Sequence, residues 1–127
     1  MTTTDTMTTT DTRTATDTRT ATDTRTASQQ IADEVTAWPG IEAGYGRRGE
    51  FAFRLGRREI GHLHGDHAAH FSFPQAVWHE LQAAGRITDH PVFPGRVGPA
   101  ARRIASDDDV RDVIVLLRRN YDRLIAA

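Results

Sequence analysis

The sequence predicts an α+β domain, a small antiparallel β-meander packed on one face by helices, behind a disordered N-terminal tail. Three observations carry this. Phe51, Phe53 and Leu55 alternate with Ala52 and Arg54, and Gly56-Arg57 follows at once, the pattern of a hairpin with a two-residue turn. Val110, Val113, Ile114, Leu117, Tyr121 and Leu124 recur at helical spacing behind Ser106 and three aspartates. Residues 1–26 repeat a Thr-rich hexad (MTTTDT, then RTATDT) with no aromatic, Leu, Ile or Val. Such a segment cannot bury enough apolar surface to offset the entropy of ordering it. Residues 1–27 are therefore expected to be disordered and residues 28–127 to fold as one domain. Roughly 100 residues bury a single modest core and fall well short of the roughly 200 that a (β/α)₈ barrel needs.

The elements follow in order. Ser28 to Ala37 reads as a short helix capped by Ser28, with Ile31 and Val35 on one face, stopped by Trp38-Pro39-Gly40. Gly44, Gly46 and Gly49 read as a loop; with no strand before it and no helix after it, this is not a dinucleotide fingerprint. Glu50 to Leu55 is a strand, Arg58 to His64 its return, Gly65-Asp66 a second turn, and Ala69 to Phe73 a third short strand. Pro74 opens a helix striped by Val77, Trp78, Leu81 and Ala84 and closed by Gly85. Residues 87–103, with three prolines and two glycines, read as loop, followed by a short edge strand near Ala101 to Ala105. Ser106 then caps the last helix, with Asp107, Asp108 and Asp109 at its positive end and Arg118, Arg119 and Arg123 toward its negative end.

Composition narrows the chemistry. The chain has no cysteine, which excludes disulfides, thiolate catalysis and cysteine metal sites. All 16 basic residues are Arg. The repeat holds three Arg and four Asp, so the rest of the chain is neutral, and no overall field draws it toward nucleic acid or an anionic membrane. No run approaches the roughly 20 apolar residues of a membrane span, and no signal peptide is legible, so a cytoplasmic location is expected. No GxSxG motif or Ser-His-Asp order appears.

The histidines are the candidate site. Four of the six lie between His62 and His70. On a strand, His62 and His64 share a face ~7 Å apart, a spacing used by metal sites because both rings can converge on one ion. Asp66, His67 or His70 would complete the set across the turn, giving a metal group built on His62, His64, Asp66 and His67. Glu59 joins His62 and His64 in a ligand-binding reading, although strand parity sets it on the opposite face. Alternation alone leaves the buried face of this strand open, because Ile60 and Leu63 also differ in parity; structural or solvent-facing histidines are the other reading. His79 and His90 stand apart from the cluster. Arg47, Arg48, Arg54, Arg57 and Arg58 form a second candidate, a surface for an anion or a phosphate backbone.

The order Trp38-Pro39-Gly40-Ile41, Glu50-Phe51-Ala52-Phe53 and Arg58-Glu59-Ile60-Gly61-His62-Leu63-His64-Gly65 resembles the small bacterial and fungal luciferase domain. Phe73-Pro74, Gly85-Arg86, His90-Pro91 and Leu116 to Arg123 extend the resemblance. Where that family carries Gly-Trp after His-Pro, this chain has Gly95-Arg96-Val97-Gly98. The resemblance implies a small α+β domain and carries over no catalytic residue, cofactor or substrate; flavin luciferases are similar to much larger barrels. The function expected is therefore binding of a small ligand or partner at the His62/His64 strand face. A metal-assisted or acid–base enzyme built on the histidines and a nucleic-acid module built on the Arg-rich hairpin are the alternatives.

Overall fold

A computed structural model describes residues 23–127, so the repeat expected to be disordered lies, up to residue 22, outside the described residues. Thr26, the last threonine of the repeat, caps α1 (Ala27–Val35). Its hydroxyl accepts the Gln29 N–H at 3.2 Å, and the Gln29 side-chain oxygen accepts the Thr26 N–H at 2.9 Å, a reciprocal capping box. This displaces Ser28 from the expected cap into the first turn, because only Thr26 has Gln three residues on. Ile31 and Val35 are fully buried, and Trp38-Pro39-Gly40 ends the segment, as expected.

Among the described residues six strands form one antiparallel sheet in the order β1-β2-β3-β4-β6-β5: β1 (Ile41–Tyr45), β2 (Phe51–Leu55), β3 (Arg58–His64), β4 (Ala68–Ser72), β5 (Thr88–Asp89) and β6 (Pro99–Arg103). Leu55 pairs with Arg58, so Gly56-Arg57 is the two-residue turn, with Gly56 at φ 64°. Three strands depart from expectation, β5 by standing in a stretch expected to be loop. β1 replaces the first part of the expected loop: it pairs along all of β2, and the Tyr45 and Phe51 rings meet edge-on at 5.0 Å, so cross-strand packing overrides the poor strand propensity of Glu, Ala and Gly. β6 starts at Pro99 and lies inside the sheet between β4 and β5; the edge is the two-residue β5. Pro99 is tolerated as the first residue of its strand.

α2 (Gln75–Ala83) buries Trp78 and Leu81, while Ala84 stays exposed, and the Trp78 indole N–H donates to Pro99 O at 3.0 Å. α3 (Asp107–Ala126) is capped by Ser106, whose hydroxyl accepts the Asp109 N–H at 3.2 Å. It buries Val110, Val113, Leu116, Leu117, Asn120 and Tyr121. The Tyr121 hydroxyl donates to Pro39 O at 2.6 Å, tying α3 to the turn before β1. α1 and α3 pack together over the sheet face that carries Phe53, Ile60, Leu63, Ala69, Phe71 and Ala100. Arg102 on the same face pairs with Asp109 at 2.7 Å and Asp112 at 3.5 Å of α3. On the opposite face Arg54, His64, Ser72 and Arg103 are exposed.

One extra residue in β3 decides what each face carries. Phe51, Ala52 and Phe53 pair with Leu63, His62 and Gly61; the register then shifts, and Arg54 pairs with Glu59, so Ile60 is bulged. The bulge reverses parity. Ile60 and Leu63, three apart, both enter the core at 0% and 1% exposure. Glu59 and His62, also three apart, meet on the open face. Gly61 makes the bulge fit: a Cβ there would stand 2.5 Å from Leu117 Cδ2 and 3.1 Å from His70 O. The β3–β4 pairing ends at His62–His70, and beyond it Asn120 Nδ2 of α3 donates to Ile60 O at 3.0 Å and Ser72 O at 3.1 Å.

Candidate functional site

His62 of β3 lies directly opposite His70 of β4, and His64 follows two residues along β3 on the same face. Their rings converge: centroids are 4.9 Å apart for His62–His64, 5.3 Å for His62–His70 and 4.3 Å for His64–His70. The Nε2 atoms of His62 and His64 are 3.1 Å apart. One ring nitrogen from each of the three lies within 4.8 Å of the other two. Glu59 Oε2 sits 2.7 Å from His62 Nδ1. An ionised carboxylate only accepts, so Nδ1 carries the proton and the Nε2 lone pair of a neutral His62 faces His64. Glu50 lies beside the rings and accepts the Arg48 N–H at 3.0 Å. Backbone hydrogen bonds, from its own N–H first, hold its carboxyl below the usual range, and His62 and His64 add to this when they are protonated.

Burial sets the charge state of the cluster. His70 is 8% exposed, and desolvation, followed by the neighbouring charges of His90, His64 and His62, pushes its pKa down to about 4. His64 and His90 are lowered in the same way, burial first. His64, His70 and His90 are thus neutral at pH 7, with lone pairs available. His70 Nδ1 is buried without a hydrogen-bond partner among the described residues.

The expected residues divide. Glu59, His62 and His64 come together; the parity that would have separated Glu59 is cancelled by the bulge at Ile60. His70 joins them, whereas Asp66 and His67 are not brought to this cluster. Asp66 Oδ1 accepts the Ser28 N–H at 2.9 Å at the start of α1, and hydrogen bonds from Ser28 hold its carboxyl below the usual range. His67 is exposed on the β3–β4 turn, and its carbonyl accepts the Ile104 N–H at 2.8 Å. His79 stays apart, its ring against Trp78 on α2. His90 does not: its ring lies 4.2 Å from that of His70, and its Nδ1 accepts the Val92 N–H at 3.1 Å. The sequence holds no short-range signal for His90, because only the strand order β4-β6-β5 carries it to the cluster.

The candidate arginines spread along β2, with Arg54 exposed on the strand itself. Arg47 and Arg48 lie in the β1–β2 loop and Arg57 and Arg58 at the β2–β3 turn, opposite ends of a five-residue strand and so about 17 Å apart. An apolar cleft between α1 and the β1–β2 hairpin, lined by Ala32, Tyr45, Phe51 and Leu63 among others, touches no histidine. No helix among the described residues is long and apolar enough to cross a membrane.

Fold and site together define a small α+β domain with one helix-covered sheet face and one imidazole-bearing open face. The family model for the luciferase domain matches residues 57–120, and the chain belongs to that family. The match runs from the β2–β3 turn into α3 and includes Gly61, His62, His64, His70, His90 and Asn120. No curated protein and no solved structure matches the chain.

Proposed function

We propose that this domain, from residue 28 to residue 127, binds a small ligand on the open face of its sheet at Glu59, His62, His64 and His70. The observation that carries the reading is the pair of Nε2 atoms 3.1 Å apart, backed by the His70 ring, on the face away from α1 and α3. A folding role alone accounts poorly for His70. Leaving its buried Nδ1 without a hydrogen-bond partner among the described residues costs about 1–3 kcal/mol. A ligand that reached Nδ1 itself would supply the missing partner.

The test is a screen of small polar molecules against the ¹⁵N-labelled full chain, read by amide and imidazole shifts. Shifts clustered at Ala52, His62, His64 and His70 are expected. Shifts clustered at Ala32, Tyr45 and Phe51 would move the functional surface to the apolar cleft and overturn the reading.

A further inference from the structure

We infer that the ligand of the open face is a divalent transition-metal ion of the zinc class, held by one ring nitrogen each from His62, His64 and His70. The inference rests on the open face being the binding site, and it names what binds there. Two nitrogens on one ion at bond lengths of ~2.0–2.1 Å stand ~2.9–3.4 Å apart in tetrahedral or octahedral geometry. The Nε2 atoms of His62 and His64 already stand 3.1 Å apart. The third nitrogen, from His70, lies within 4.8 Å of both, so His70 must turn toward the ion to complete the set.

Glu59 supplies the orienting contact that such a site needs. Its carboxylate accepts from His62 Nδ1 at 2.7 Å, which fixes the ring and leaves Nε2 as the donor atom. Glu59 is thereby a positioning residue. In the ion-free protein His64 Nε2–H donates to His62 Nε2; when the ion enters, that proton moves through water to His64 Nδ1, so the ring stays neutral and no proton is lost. His64 is exposed, which lets water carry the exchange. Three imidazoles without a thiolate suit zinc, cobalt, nickel or copper and not magnesium or calcium, which prefer oxygen. Three protein ligands also leave a position on the solvent side for water or a donor atom of a small molecule.

The test uses the tag-free full chain, stripped with a chelator, then titrated with zinc by calorimetry and with cobalt(II) by visible absorption. One equivalent is expected to bind with Kd roughly micromolar or tighter, and cobalt to develop a d–d band. His64→Ala, an exposed position that leaves the core untouched, should weaken binding at least about 10-fold, and Glu59→Gln about 10-fold with stoichiometry kept. His67→Ala and His79→Ala should leave affinity unchanged. Absence of saturable binding at one equivalent, or unchanged binding in the His62→Ala/His64→Ala variant, overturns the inference. If zinc fails while the small-molecule screen still shifts His62, His64 and His70, the metal is wrong and the binding face stands; if neither moves them, both fall.

Discussion

Replacing Asn120 by Leu is expected to destabilise the domain by about 2–4 kcal/mol, although the change adds apolar surface to an apolar helix face. Asn120 is 1% exposed. Its Nδ2 donates to Ile60 O at 3.0 Å and Ser72 O at 3.1 Å, and its Oδ1 accepts from Arg123 at 2.9 Å. Leu keeps the branched shape and is larger, so no cavity forms, and it removes both donors. The fully buried Ile60 carbonyl then costs about 1–3 kcal/mol and the partly buried Ser72 carbonyl about 1 kcal/mol more. For a domain whose whole stability is about 5–15 kcal/mol, that is a large share. Urea unfolding followed by fluorescence of the buried Trp38 and Trp78 measures it, as a lower midpoint at unchanged m. Asn120→Asp should be worse at pH 7, because a carboxylate would face two carbonyl oxygens, and should recover as acid protonates it. A loss below about 1 kcal/mol for Asn120→Leu would refute the view that this side chain closes the gap beside the bulge.

Three further outcomes follow from the same contacts. Gly61→Ala should cost about 2–3 kcal/mol by overpacking and cost less in a Leu117→Ala background, since Leu117 Cδ2 is the nearest obstacle; equal costs in both backgrounds would place the strain elsewhere. Thr26→Ala should lower stability by about 1 kcal/mol, read from the same urea curves, and no change would mean that the helix is capped at another residue. Stability should fall between pH 6.5 and about 4, because His70 is held neutral in the fold at a pKa of about 4 while the unfolded chain takes up the proton near 6.5. The contribution is complete above pH 6.5, shrinks as pH falls through this window, and amounts to at most about 3 kcal/mol. Urea midpoints at pH 7, 5.5 and 4.5 that stay level or rise on acidification would contradict it.

Local patterns were legible and long-range ones were not. Arg58 to His64, the two-residue turn before it and the last helix stand where alternation, Gly56-Arg57 and the Ser106 cap place them. His62 and His64 were legible as a pair because i and i+2 share a strand face. Glu59 is named with them against its strand parity, and what the pattern did not disclose is the bulge at Ile60, fitted by Gly61 against Leu117 of a distant helix, that brings it to their face. β1 was obscured by Glu42, Ala43 and Gly44, all poor strand formers, and it is held by pairing with β2. Asn120 interrupts the apolar stripe of α3, and its polarity hid a buried position whose partners, Ile60 O and Ser72 O, are far away in the chain. His90 and His70 meet only through strand order.

The arrangement of Glu59, His62 and His64 is tested most directly by the tautomer of His62 in the ion-free protein, read from long-range ¹H–¹⁵N imidazole spectra at neutral pH or above. With Glu59 accepting at 2.7 Å, His62 is expected in the Nδ1–H form, its unprotonated Nε2 facing His64. The Nε2–H form at His62, or a spectrum unchanged by Glu59→Gln, would show that Glu59 does not orient this ring and would contradict the site.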